Sequence, residues 1–366
     1  MYSLWRKLNR QEGIAATPIE CFPILCLPGG SDMEKRLCAP DYLLFEEGKY
    51  FKSCHASSIL ALKDGTVLVA YFAGDHEKAD NVGIWLSRCE GGAWEPPREI
   101  AKVAPVAHWN PVLMEIADGV RLVFKVGAEI ADWLSWTMTS RDGGCTWSEP
   151  RPYGEACGPV RAKPIRLADG RLLAGNSEEK TTDRLRWRTF VDVSTDDGAH
   201  FSRLAPIPIE NDRADAPNCI AGAGAIQPAL WEDAPGHVHA FLRTTGGYLF
   251  RSDSGDGGQS WCPAYNTGLP NNNSGIDAVV VRGSVYLVLN PVSQNWGART
   301  PLAILRSQDS GEHFEPFFTL EDMPWDEKEN KSAEFSYPAM VFDGRALHIS
   351  YTYMRRSIAY RRIALP

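Results

Sequence analysis

One short motif, Ser-x-Asp-x-Gly-x-x-aromatic, recurs along this chain and limits the folds open to it. Two copies end in tryptophan, two end in phenylalanine, and a fifth has cysteine in place of the aspartate. The copies begin at Ser87, Ser140, Ser194, Ser254 and Ser307. Successive copies start 53 to 60 residues apart, a period that suits one four-stranded sheet per repeat.

The chemistry of this motif is that of a β-hairpin turn. The aspartate accepts backbone N–H bonds, the glycine adopts a conformation that other residues resist, and the aromatic ring packs between neighbouring sheets. We therefore interpret the motif as structural. Cys89, which replaces the aspartate of the first copy, is expected to loosen one turn without affecting chemistry.

A second repeat interlocks with the first: two apolar or alternating strands joined by a tight turn that contains glycine. The turns lie at Gly65, Gly119, Gly170, Gly236, Gly283 and Gly344. Every hairpin but the last is followed by the aspartate motif, which orders each repeat as three strands, the motif turn and an outer strand. The sequence thus predicts an all-β fold, a six-bladed β-propeller over residues 41–366.

The two ends of the chain are expected to behave differently. Residues 1–40 are rich in turn formers and are predicted to be a partly irregular lead-in. The last repeat lacks the aspartate motif and ends in the strand-like run 357–365. We expect residues 42–46 to close the ring beside that run, so that no sheet edge is left open.

The composition of the chain limits the classes of molecule that it can bind. The net charge of −8 argues against nucleic acid and anionic membranes, but it permits an acidic small ligand held by a few pocket arginines. Nine cysteines without regular spacing, and a first segment without an apolar stretch, predict reduced thiols and a cytoplasmic location. The histidines are scattered, so neither a metal nor another cofactor is predicted. The oligomeric state stays open.

The inner strands of a propeller start near its axis on one face, so the residues just before the six hairpins should converge. These positions hold His55, Asn110, Lys163, Gln227, Asp277 and Tyr337. All six are polar, and burial without a partner would be unfavourable for each. The set favours a ligand site, although any single member could instead satisfy loop backbone groups around a wet channel.

The far ends of the second strands return to the same face and supply a second ring of side chains. This ring offers Asp75, Glu77, Asp80, Lys125, Glu178, Glu179, Arg243, Arg299, Arg355 and Arg356. Arginines in a sugar-sized pocket suit a planar carboxylate, which they bind through two parallel hydrogen bonds. Trp109 and Trp296 are candidate apolar faces for a pyranose ring.

With these repeats the chain resembles the Asp-box sialidase superfamily, also called BNR-repeat neuraminidases, in its divergent branch, over about residues 50–362. The resemblance implies three arginines around a substrate carboxylate, a tyrosine nucleophile paired with a glutamate, and an aspartate acid/base. Tyr337 in EFSYPAMV matches the tyrosine that opens the last blade. Arg243 and Arg299 match the second and third arginines.

The chain also departs from the family pattern. His55 stands where the first arginine is expected, and Gln227 stands where the glutamate partner is expected. The aspartate corresponds to Asp75 or Asp80. Glu334 could replace the missing carboxylate only if the backbone turns it inward.

Three functions are compatible with these residues. The first is an exo-acting, sialidase-like glycoside hydrolase for a sialic or uronic acid type of sugar, in which Arg243 and Arg299 hold the carboxylate and Tyr337 is the nucleophile or stabilises the cation. In it Asp75 or Asp80 is the acid, and His55 is a binding or proton-relay group. The second is a lyase that cleaves uronate glycosides by β-elimination, with His55 as base and Tyr337 as proton donor. The third is a propeller that binds acidic sugars without catalysis.

Overall fold

The computed structural model describes residues 43–154, 157–181 and 185–365, which form six antiparallel sheets in chain order. Blade 1 contains β1 (Ser53–Ala61), β2 (Val67–Gly74), β3 (Gly83–Glu90), β4 (Ala93–Trp94) and β5 (Arg98–Ala101). Blade 2 contains β6 (His108–Ile116), β7 (Gly119–Val126), β8 (Leu134–Ser140) and β9 (Arg151–Pro152). Blade 3 contains β10 (Ile165–Arg166), β11 (Leu172–Thr181), β12 (Leu185–Ser194) and β13 (Ser202–Pro206).

The second half of the ring repeats this plan. Blade 4 contains β14 (Ala225–Ala234), β15 (His237–Thr244), β16 (Tyr248–Ser254) and β17 (Tyr265–Pro270). Blade 5 contains β18 (Asp277–Val281), β19 (Ser284–Leu289), β20 (Leu302–Ser307) and β21 (Glu315–Glu321). Blade 6 contains β24 (Phe335–Phe342), β25 (Ala346–Tyr353) and β26 (Ser357–Ala364), after a small hairpin of β22 (Trp325–Asp326) and β23 (Lys331–Ser332). The helical structure in the described residues is one 3-10 turn, η1 (Ile130–Asp132).

The predicted six-bladed propeller is confirmed, and its hairpins turn where the glycines stand. All six hairpin glycines have positive φ angles, between 80° and 145°. Glycine adopts this region without the steric cost that a Cβ atom brings. Local sequence therefore sets the six turns, and with them the blade count.

The aspartate motif forms the turn that its chemistry predicts. Asp142 accepts hydrogen bonds from the Ser140 hydroxyl at 2.8 Å and from the backbone N–H of Thr146 at 2.9 Å. The same turn also reaches the preceding blade, because a Cβ atom on Gly144 would lie 2.7 Å from a Leu68 methyl carbon. The aspartate motif therefore determines the shape of the turn and the distance between two adjacent blades.

The ring closes through the start of the described chain. Leu43 forms a β-bridge with Ala359, and the backbone N–H of Leu44 donates to the carbonyl of Ile358 at 2.9 Å. This agrees with the expected closure, although the contact is a single bridge and not a full strand. The lead-in predicted for residues 1–40 lies outside the described residues.

Four inner strands share a backbone irregularity that directs side chains toward the channel. The pairing of β1, β6, β14 and β24 with their neighbours shifts register near the strand start. Inside each bulge one residue has a positive φ angle, namely Ala56, Asn110, Gln227 and Tyr337. A bulge changes the direction of a side chain, and bulges occur next to active sites. Blades 3 and 5 lack it.

The hydrophobic core is distributed between adjacent blades and leaves the axis polar. The largest clusters join blades 1 and 2, blades 5 and 6, and blades 6 and 1.

The six cysteines within the described residues are unpaired. Within those residues, no helix has the length and apolarity needed to cross a membrane.

Candidate functional site

Tyr337 lies at the centre of an arginine-rich group on the channel axis. Its hydroxyl oxygen accepts a hydrogen bond from Nη1 of Arg243 at 2.7 Å. The guanidinium carbons of Arg161 and Arg299 lie 5.2 and 5.4 Å from the centre of its ring. The His55 ring is 4.2 Å away, centroid to centroid. Four blades therefore contribute to the surroundings of one phenol.

The backbone of Tyr337 explains how a tyrosine reaches this position. Its φ angle is 51°, in the left-handed region that bulky residues rarely adopt. Residues held in that region cost of order 1–3 kcal/mol each and cluster at functional sites. The β24 bulge thus stabilises a conformation that local preference disfavours.

Arg243, at the end of β15, is buried and bonded to neutral groups. Besides Tyr337, its Nη1 donates to the side-chain oxygen of Gln227 at 2.9 Å, and its Nε donates to that of Asn273 at 2.7 Å. Within the described part of the chain, Nη2 forms no hydrogen bond. No carboxylate there offsets the charge of Arg243 through a direct bond, so this guanidinium is available to an anion.

Glu334 joins two further arginines from different parts of blades 5 and 6. One of its oxygens accepts from Nη1 of Arg299 at 2.7 Å and from Nε of Arg355 at 2.9 Å. Burial raises the pKa of Glu334, but the two guanidinium charges outweigh burial and hold it below its ordinary value. The carboxylate is therefore ionised and positions both arginines. The hydrogen bonds of Glu334 go to Arg299, Arg355 and Ser336 and not to Tyr337. Its role as a substitute for the missing carboxylate stays a prediction.

Arg355 lies in the strained turn of residues 354–356 between β25 and β26. Met354 and Arg355 have φ angles of 51° and 55°. Hairpin turns of this kind normally use asparagine and glycine, which accept positive φ readily. The strained turn brings the Arg355 guanidinium beside His55, with Nη2 at 3.5 Å from the imidazole Nε2.

His55 is buried and held in its neutral form. Its Nδ1 lies 2.9 Å from the hydroxyl of Thr352. Burial, followed by the charges of the four surrounding arginines, lowers the pKa of His55 well below 6.5. The imidazole is thus a weak proton acceptor beside Tyr337.

The blade 1 loop contributes a different carboxylate from the two predicted. Asp75 is exposed and pairs with Lys52 at 2.9 Å, and Asp80 is also exposed. Glu77, between them, accepts a hydrogen bond from Nη1 of Arg355. Of the three carboxylates in this loop, only Glu77 is partly buried and bonds to Arg355, and the tertiary structure decides which one does so.

Blade 3 contributes a carboxyl group that lies near Arg243 without a direct bond to it. Glu179 on β11 is paired with Trp187 on β12. Burial raises the pKa of Glu179, while the charge of Arg243 and the Trp187 side chain lower it to a smaller extent. Because the net direction is upward, this carboxyl holds a proton more readily than an exposed glutamate does.

Two of the predicted ring residues bond to each other and do not contact Tyr337. Nζ of Lys163 donates to a carboxylate oxygen of Asp277 at 2.8 Å. The other oxygen of Asp277 accepts from the backbone N–H of Met340 at 2.8 Å. Blades 3 and 5 lack the inner-strand bulge, and these two polar side chains connect blade 3 to blade 5 and blade 5 to blade 6.

The two predicted site residues of blade 2, Trp109 and Asn110, lie in different environments. Trp109 is buried in the core, where its indole N–H donates to the carbonyl of Gly127 at 2.8 Å and its ring packs 5.4 Å from that of Trp133. It therefore does not offer a face to substrate. Asn110, in the bulge, forms no side-chain hydrogen bond with the described residues. Its amide is available in the channel.

Arg161 is the residue that sequence reasoning missed. It is almost fully buried and donates to the backbone carbonyls of Ser57 at 3.1 Å and Pro338 at 2.8 Å. Burial lowers the pKa of Arg161 to about 10, so it remains a cation at neutral pH. Its segment precedes the two-residue strand β10, and no periodic signal there points to the axis.

Six blades surround a polar axis, and five of them carry the recurring motif turn, which defines a six-bladed β-propeller with the fold of solved sialidases. A family model described as a BNR repeat-like domain matches residues 65–349. The chain therefore belongs to the BNR repeat-like family. No functionally curated protein sequence matches it.

Solved structures share the fold at low sequence identity. A Dyadobacter fermentans protein of unknown function aligns with a TM-score of 0.72 and 15% identity, covering 90% of this chain and 100% of that one. The Hadza microbial sialidase Hz136 gives 0.70 and 16%, covering 88% and 68%. The NanB sialidase of Streptococcus pneumoniae gives 0.64 and 13%, covering 89% and 70%.

Proposed function

We propose that this protein is an exo-acting glycoside hydrolase that removes a carboxylated sugar of the sialic or uronic acid type. The observation that carries the proposal is the environment of Arg243. Its partners are neutral, its Nη2 forms no hydrogen bond within the described residues, and its Nη1 contacts the hydroxyl of Tyr337. An anion that binds this guanidinium is held beside a nucleophilic oxygen.

The charge balance supports a carboxylate ligand. Arg243, Arg299 and Arg355 contribute three positive charges, and their carboxylate partners Glu334 and Glu77 contribute two negative charges. One positive charge remains in this contact network before Arg161 is counted. A planar carboxylate would neutralise it with favourable hydrogen-bond geometry. Arg355 thereby takes the place of the first arginine, which the chain replaces with His55.

In the proposed reaction the Tyr337 phenol loses its proton to solvent water, and its oxygen attacks the anomeric carbon to form a glycosyl–enzyme bond as the glycosidic C–O bond breaks. Glu179 gives its proton to the leaving oxygen, since a raised pKa is the property that a general acid needs. A water molecule then attacks the same carbon, its proton returns to Glu179, and Tyr337 is released. The phenol regains a proton from solvent when it is released in this second step. Two displacements retain the anomeric configuration.

The contacts of His55 favour hydrolysis over elimination. A lyase would need His55 to accept a proton from carbon. One of its ring nitrogens faces the Thr352 hydroxyl and the other faces a guanidinium, and its pKa is lowered well below 6.5 by burial. Both features weaken a base, so His55 better suits a neutral spacer between Tyr337 and Arg355.

A panel of sialyl, uronyl and rhamnosyl glycosides tests the proposal with wild type, Tyr337→Phe and His55→Gln. The proposal expects release of a reducing acidic sugar, seen by NMR first in the retained anomeric form, and its loss in Tyr337→Phe. An unsaturated uronide absorbing in the near ultraviolet would identify a lyase. Binding of these glycosides without any product would identify a non-catalytic sugar-binding propeller.

A further inference from the structure

Arg356, the neighbour of Arg355 in the 354–356 turn, forms a separate group of ion pairs. Its Nε donates to a carboxylate oxygen of Glu47 at 2.6 Å. Its Nη1 and Nη2 donate to the two carboxylate oxygens of Asp326 at 2.7 and 3.2 Å. A guanidinium and a carboxylate joined by two parallel hydrogen bonds form one of the stronger pairs between side chains. We call Glu47, Asp326 and Arg356 the turn anchor.

The turn anchor joins three segments that are distant in the sequence. Glu47 follows the residues that close the ring, Asp326 ends β22, and Arg356 precedes β26. The Asp326 side chain is 3% exposed, and hydrogen bonds from Arg356 lower its pKa below the ordinary value, so it is ionised at neutral pH. Removing one partner of a buried ion pair leaves the other charge uncompensated, so such a pair resists separation.

The turn anchor lies at the end of a turn that local preference disfavours. Met354 and Arg355 are consecutive non-glycine residues with positive φ angles. The backbone N–H of Met354 donates to the carbonyl of Glu334 at 2.7 Å. The carbonyl of Arg355 accepts from the backbone N–H of Cys54 at 2.8 Å. Strained residues persist where the surrounding structure holds them from several sides, and the turn anchor supplies the side-chain part of that support.

The two adjacent arginines bond to different carboxylates. Arg355 donates to Glu334 and Glu77. Arg356 is bonded to the two carboxylates of the turn anchor, which offset its charge. Arg356 is therefore not available to an acidic ligand, and its effect on such a ligand passes through the position of Arg355.

We infer that Arg356 and Asp326 are positioning residues for Arg355. By holding the 354–356 turn in its strained form, they keep the Arg355 guanidinium where it binds the carboxylate of the acidic sugar. The inference rests on the proposed function for the identity of that ligand. It goes further by giving the ring-closing segment and the β22–β23 hairpin a part in acidic-sugar binding.

Titration calorimetry with sialic acid and glucuronic acid tests this role in Asp326→Asn, in Arg355→Met and in the double variant. We expect Asp326→Asn to weaken binding of the acid about tenfold, because the turn relaxes and Arg355 loses its hydrogen bonds to the ligand. The double variant should bind no more weakly than Arg355→Met, since Asp326 acts only through Arg355. Asp326→Glu, which keeps the charge, should recover most of the affinity. Asp253→Asn, which breaks an arginine–carboxylate pair with Arg251 in blade 4, is the control and should leave the affinity unchanged.

Nitrogen NMR of the His55 imidazole gives a readout that does not depend on any ligand. Nη2 of Arg355 lies 3.5 Å from Nε2 of His55, so displacement of the guanidinium changes the surroundings of that nitrogen. We expect Asp326→Asn and Arg355→Met to shift the His55 signal, which is identified by its loss in His55→Gln. Asp253→Asn should leave the signal in place. Glu47→Gln, at the more exposed carboxylate of the turn anchor, serves the same test where Asp326→Asn does not fold.

Affinity losses that add up in the double variant, or an unchanged His55 signal in folded Asp326→Asn, would overturn the inference. If wild type binds neither acid, the proposed function fails, whereas the His55 signal still decides whether Asp326 positions Arg355.

Discussion

Nη1 of Arg243 lies 2.7 Å from the hydroxyl oxygen of Tyr337, although 94 positions separate the two residues in the chain. Arg243 is the last residue but one of the second strand of blade 4, and Tyr337 lies in the bulge of the first strand of blade 6. The contact joins a guanidinium available to an anion with an oxygen available for nucleophilic attack. Anion binding and chemistry are therefore expected to be separable by substitution.

Arg243→Met should weaken binding of the acidic sugar about 10- to 100-fold, because a hydrogen bond to a charged group contributes about 1.5–3 kcal/mol. Titration calorimetry with sialic acid and a neutral sugar checks this result. Arg345→Met, a change at an exposed arginine, serves as the control. Unchanged affinity in Arg243→Met would place the carboxylate elsewhere.

Tyr337→Phe should abolish turnover while leaving sugar binding within about threefold. The hydroxyl has one hydrogen-bond partner among the described residues, and Arg243 keeps its bonds to Gln227 and Asn273. Hydrolysis rates and binding calorimetry on the same preparations give the comparison. Retained hydrolysis would exclude the covalent mechanism.

Glu179→Gln should act through the leaving group. We expect kcat/KM for a methyl glycoside to fall about 10²- to 10⁴-fold, the usual contribution of a general acid, and that for a 4-nitrophenyl glycoside to fall far less, since nitrophenolate leaves without protonation. Glu178→Gln is the matched control, because Glu178 is paired with Arg203. A uniform loss on both substrates would show that Glu179 only supports the structure.

Stability should fall as the pH drops from about 6.5 toward 4. Nε2 of His108 accepts from the backbone N–H of Val103 at 2.8 Å, which requires the neutral ring, and burial lowers the pKa of His108 to about 4. The unfolded chain therefore binds more protons in this window. His108→Leu should flatten the dependence measured by urea unfolding at several pH values. An unchanged slope would contradict this assignment.

Asp142→Ala should lower the free energy of unfolding by about 1 kcal/mol, since it removes bonds that close the box turn. Urea unfolding measures the change, and Asp118→Ala, at an exposed ion pair with Arg141, is the control. Sugar binding should stay the same, because the turn is a structural feature. Equal stability of both variants would show that the box is dispensable.

Much of the site was predictable because its predicted members occupy positions that can be counted from one repeat to the next. Tyr337, Arg243 and Arg299 were placed by counting blades, and the structure brings them together. The same counting put Lys163 and Asp277 at the axis, where they pair with each other. Equivalent positions differ in direction because blades 3 and 5 lack the bulge that turns a side chain inward.

Other members had an ambiguous sequence signal or none. Arg161 precedes a short strand, and its burial at the axis depends on carbonyls of blades 1 and 6. Glu77 was one of three acidic residues in a loop, and Arg355 one of two adjacent arginines in a turn. Their contact was not visible in the sequence, since it joins residues 278 positions apart.

By itself the sequence determined the number of blades, the turns and the family, because glycine turns, box residues and strand alternation act over a few neighbouring residues. Only the tertiary structure decided which polar side chains meet Tyr337. That choice depends on bulges, on strained residues such as Arg355, and on charge pairs across the ring, which no local pattern encodes.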